Sequence, residues 1–131
     1  MTAPTLRTPW RMILDEPTTA PDFRHARDIP DAVFCAAVAA ATMSHGVALR
    51  GMVNRVLGGL AVDDPAPSDE VPGVPYKVVL AKFRRCAGRG LVTGCDCGCR
   101  GDWELTRKGR GVVAVAAVEA AIAWFEALPW L

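Results

Sequence analysis

The sequence predicts a mainly α domain with one small two-stranded β-hairpin and a C-terminal helix. Three observations carry this. Apolar residues recur at three- and four-residue steps in the segments 49–60, 76–83 and 115–125, the period of helices that bury one side, and 32–43 is almost wholly apolar. The stretch Gly94-Cys-Asp-Cys-Gly-Cys-Arg-Gly101 has the glycine content of a hairpin tip and lies between two short β-prone runs. A chain of 131 residues, 51% hydrophobic and 22% charged, supports one globular core and excludes wholesale disorder.

The elements follow in order. Residues 1–28 hold Pro4, Pro9, Pro17 and Pro21, which remove backbone donors and fix φ, so an extended arm without regular helix is expected. Trp10, Met12, Ile13, Leu14 and Phe23 are too apolar for a bare linker, so the arm should pack on the domain or on a second subunit. Asp28 is the expected N-cap of the first helix, with Pro30 in its first turn and Asp31 favouring the dipole. Ala32 to Met43 is almost wholly apolar, so this helix should be buried all round, with Gly46 as its stop. Leu49, Met52, Val53, Val56, Leu57 and Leu60 predict a second helix that weakens at Gly58-Gly59.

Residues 61–75 carry four prolines and four acids and predict a long loop. A third helix should start near Pro75, with Tyr76, Val79, Leu80 and Phe83 on its apolar side and Gly88 and Gly90 ending it. Leu91-Val-Thr93 and Trp103-Glu-Leu-Thr106 are the expected strands, with Trp103 and Leu105 on one face. Thr106 is the expected cap of a last helix over about 107–128.

This order of helices and hairpin matches a winged helix-turn-helix. Arg89-Gly-Leu-Val92, followed by Trp103-Glu-Leu-Thr-Arg-Lys-Gly-Arg110, resembles the wing region of bacterial or phage winged-helix regulators of the MarR and PadR type. The resemblance spans about residues 74–112 and places Trp103 where those families carry an aromatic residue. It implies DNA binding and transcriptional regulation, while the order of elements sets residues 29–111 as the winged domain and 112–131 as a helix for dimerisation. The Pro-rich 61–75 loop departs from the usual tight turn of such domains.

Charge leads to the same function independently. The chain carries a formal +1, which excludes a histone-like blanket of positive charge. Residues 77–110 nevertheless hold nine Lys or Arg against three acids, a local net of +6. Cations on a helix and an adjacent hairpin suit a phosphate backbone, because binding releases condensed counterions. The third helix would enter the major groove of double-stranded DNA, with Lys77, Lys82 and Arg85 as base-reading candidates. Arg84, Arg89, Arg100, Arg107 and Lys108 are the phosphate-contact candidates. A winged domain that grips another protein is the competing expectation, and a metal- or redox-sensing module is the third.

That third expectation rests on Cys95, Cys97 and Cys99. On an extended hairpin they fall on one side, and Cys86 at the end of the third helix could complete a tetrahedral Zn²⁺ site. The spacing lacks the paired C-x2-C knuckles of common zinc sites. Cys35 lies in the apolar first helix as a small core residue.

Val115, Val118, Ile122 and Phe125 step by three, four and three along the last helix, a seam that fits a homodimer contact or a tertiary one. Glu119 and Glu126 within this Ala-rich helix argue against a membrane span. No secretory signal is evident, so the cytoplasm is the expected compartment. Two His, one Tyr and no nucleophile–base set leave little for catalysis, so the expected function is not enzymatic.

Overall fold

The computed structural model describes residues 13–14, 21–60, 71–95 and 101–129. Four α-helices and one antiparallel strand pair form a mainly helical fold: α1 (Asp31–Ala41), α2 (Arg50–Leu57), α3 (Tyr76–Gly88), β1 (Val92–Thr93), β2 (Glu104–Leu105) and α4 (Arg107–Glu126). The start of α1 differs from expectation. Its N-cap is Pro30, and Asp28 ends a preceding 3-10 turn, where its carboxylate accepts from the backbone N–H groups of Arg24 and His25 at 3.0 and 2.9 Å. The chain thus turns once before α1, because Pro30 can begin a helix but cannot donate within it.

Helix α1 is the central element, with Phe34 through Val38 fully buried. It ends at Thr42, and Gly46 serves the turn that follows instead of capping the helix. Its φ of 99° suits a residue without a Cβ, and its N–H donates to the Met43 carbonyl at 2.9 Å. This turn brings Ala48 beside Trp103, and the two exchange backbone hydrogen bonds of 2.7 Å each way. The loop before α2 therefore extends the β1–β2 pair, in which Val92 faces Leu105 and Thr93 faces Glu104.

Trp103 is fully buried. Its ring stacks on Phe83 with centroids 4.3 Å apart and meets Phe34 at 5.9 Å. Its indole N–H donates to the Cys95 carbonyl at 2.9 Å, so one side chain fixes the hairpin to both α1 and α3. Val71 and Val74, at the end of the long loop, form a tight turn and are buried, which makes this end part of the core. Residues 61–70 lie outside the described residues.

Of the N-terminal arm, Ile13 and Leu14 are helical, against the expectation of no helix, and pack against the core with Phe23. Trp10 and Met12 lie outside the described residues. Thr106 caps α4 as expected, its hydroxyl accepting from Gly109 N–H at 3.0 Å. The helix continues unbroken through residue 112, so its first turns belong to the core while its end extends away from it. No helix among the described residues is long and apolar enough to cross a membrane.

Candidate nucleic-acid interface

Pro75 starts α3 and Arg89 and Gly90 end it, the latter with φ 76°, so the helix is set locally by its two ends. Val79, Lys82, Phe83 and Cys86 are its buried positions. The opposite stripe carries Lys77, Ala81, Arg84 and Gly88, at the three- and four-residue steps that share a helix face. Lys77 and Arg84 are exposed there between small residues, and Arg85 flanks them. Small neighbours let long cationic side chains approach a flat polyanion closely.

Lys82 corrects the expectation. Only 4% of its side chain is accessible, and its ammonium lies 2.6 Å from the Asp31 carboxylate, so it is unavailable as a base contact. Its place in sequence contains the reason. Residue 82 lies three after Val79 and four before Cys86, on the stripe that faces α1. Arg89 also reaches Asp31, at 2.6 Å, but remains about half exposed. One carboxylate therefore anchors two cations from α3. Burial raises the proton affinity of Asp31, but the hydrogen bonds and charges of Lys82 and Arg89 outweigh this and hold its pKa below the usual 3.8.

The end of α3 is joined to the start of α4. Lys108 donates to the Arg89 carbonyl at 3.0 Å, and the Thr106 hydroxyl donates to the Gly90 carbonyl at 2.6 Å. Gly109 permits this approach, since a Cβ there would collide with the Leu91 carbonyl oxygen. The Lys108 ammonium is thereby held at the Arg89 backbone, and Arg107 and Arg110 are exposed on the same first turns of α4. Arg100, at the hairpin tip, lies outside the described residues.

Of the four cysteines of the expected metal site, the structure describes Cys86 and Cys95. Cys86 is fully buried and faces Cys35 and Asp31, with its Sγ 3.8 Å from an Asp31 oxygen. A hydrogen bond between the two thiols lowers the pKa of Cys86, aided by Lys82, while the same bond and burial raise that of Cys35. Cys86 is thus committed to the α1–α3 contact, while Cys95 is exposed at the start of the hairpin tip and Cys97 and Cys99 lie outside the described residues. No three His, Cys, Asp or Glu side chains converge among the described residues.

No protein-family model, curated protein or solved structure matches the chain.

The missed residue is Asp31. Its position in the first turn of α1 suggested only a dipole role, whereas it is the electrostatic partner of α3. A lone acid at the head of an otherwise apolar helix was the available signal, since a carboxylate beside a buried surface needs a cation.

Proposed function

We propose that this chain is a sequence-specific double-stranded DNA-binding transcriptional regulator of winged helix-turn-helix architecture, acting as a homodimer. The observation that carries the reading is the exposed Lys77–Arg84 stripe of α3, with Arg85 beside it and the half-exposed Arg89 at its end. The rear of that helix is locked to α1 by Asp31 and Lys82, so the cations stand on a rigid support. Further support comes from the order of helices and strands and from the Ala48–Trp103 bridge, which ties the hairpin to the domain beside α3. In this reading α3 enters the major groove and the β1–β2 hairpin lies along the adjacent backbone.

Lys77, Arg84 and Arg85 face the DNA, Arg89 and Arg107 contact phosphates, and Lys82 holds the helix in place. Selection of bound sequences from a random duplex pool, followed by mobility shifts, tests this. Lys77→Ala and Arg84→Ala should weaken binding to the selected duplex by about tenfold each, as expected for a direct base or phosphate contact. Lys82→Met should leave the affinity of the folded protein unchanged. No enrichment, and no shift of any duplex at low salt, would overturn the reading.

A further inference from the structure

Helix α4 presents an apolar face that the described residues leave exposed. Val115, Val118, Ile122 and Phe125 are 60%, 59%, 53% and 54% exposed, and beyond Ala117 no described residue of the helix is fully buried. A contiguous stripe of this kind is characteristic of an interaction surface. The same face has a hollow half and a projecting half. Toward its N-terminus, an open groove of about 500 Å³ runs between Ala32 of α1 and the α4 residues Lys108, Gly111, Val112, Val115 and Glu119. Gly111 lines it without a side chain, and a Cβ there would meet nothing within 4 Å. Toward the C-terminus, Ile122 and Phe125 extend past the core.

We infer that the occupant of this face is α4 of a second copy of the chain, lying antiparallel. This deepens the homodimer part of the proposed function and does not depend on DNA. Two features select the arrangement. The first is shape. Antiparallel pairing sets Val115 of one copy opposite Val118 of the other, and Gly111 opposite Ile122. Each projecting half then enters the groove of the other copy. Parallel pairing would set groove against groove and projection against projection.

The second feature is charge. The first turns of α4 carry Arg107, Lys108 and Arg110, and its later turns carry Glu119 and Glu126. Antiparallel helices bring Lys108 level with Glu126 of the second copy on the same flank, once at each end of a twofold interface. Parallel helices would put Lys108 and Glu126 at opposite ends of the interface, so this cross-pair would not form. The helix dipoles favour the antiparallel order as well.

Sedimentation velocity on the full chain, with reductant present to silence Cys95, tests the inference. The wild type should sediment as a dimer, and Ile122→Arg and Val118→Asp should each give a monomer of unchanged circular dichroism. Lys108→Glu and Glu126→Lys should each weaken the dimer by about fivefold at low salt, and the double variant should recover it, since attractive cross-pairs become repulsive and then attractive again. A monomeric wild type, or a dimer indifferent to Ile122→Arg, overturns the surface. A dimer sensitive to Ile122→Arg but indifferent to both single charge reversals overturns the antiparallel order. Failure of DNA binding in the mobility shift would leave each of these outcomes readable.

Discussion

Helices α1 and α4 are both rich in Ala and Val, yet α1 lies inside the molecule while α4 shows half its circumference to water. Composition does not separate them; the arrangement of large residues does. In α1, Phe34 through Val38 are fully buried, and Phe34 meets Trp103. In α4 the small residues Gly109 and Ala117, with Val113, face the core, and most of the bulk faces away. A helix that turns its small residues inward and its large ones outward is built for two partners, its own domain and another surface.

This comparison can be broken most directly by truncation on each helix. Phe34→Ala should cost about 3 to 5 kcal/mol in urea denaturation, the range for deleting a buried aromatic ring. Ile122→Ala should shift the stability of the dilute protomer by less than about 0.5 kcal/mol, as for an exposed side chain. Equal losses at the two sites would mean that α4 is buried within its own chain.

The electrostatic tie sharpens the contrast, because α1 has a charged anchor to α3. Asp31→Asn leaves the buried Lys82 ammonium without its counter-charge and should cost about 2 kcal/mol, less than a fully enclosed pair because Asp31 is partly exposed. The acid response follows in sign. The folded pKa of Asp31 lies below 3.8, so its contribution is complete above that value. It is lost as pH falls from near 4 through the lower folded pKa. The wild type should therefore lose more stability than the Asn variant across this acid range in parallel urea titrations.

Much of the fold was legible because its signals are local. Pro75 before α3, Thr106 before α4 and the glycine run between the strands each act within a few residues, and each marks its element. Gly46 and Asp28 were legible as turn-formers but misassigned as caps, since a cap and a nearby turn use the same chemistry. What escaped was long-range. Lys82 was grouped with the surface cations because charge is normally solvated, although its phase along α3 agrees with Val79 and Cys86. Its partner Asp31 is 51 residues distant, and no spacing rule connects them. Cys86 was matched to the nearby cysteine cluster when its neighbour is Cys35, on another helix. Part of the candidate interface, Arg100 with Cys97 and Cys99, lies outside the described residues.

The central claim is that the cations of α3 and of the start of α4 act together on a polyanion. The dissociation constant for a selected duplex, measured by fluorescence anisotropy across a salt series, tests it most directly. The account predicts a linear fall of log affinity with log salt, with a slope near −0.9 per phosphate neutralised and about five phosphates engaged per protomer. The slope should be reduced by about one unit in Arg89→Ala and left unchanged in Lys82→Met. An affinity indifferent to salt, or a slope that Arg89→Ala does not alter, would contradict it.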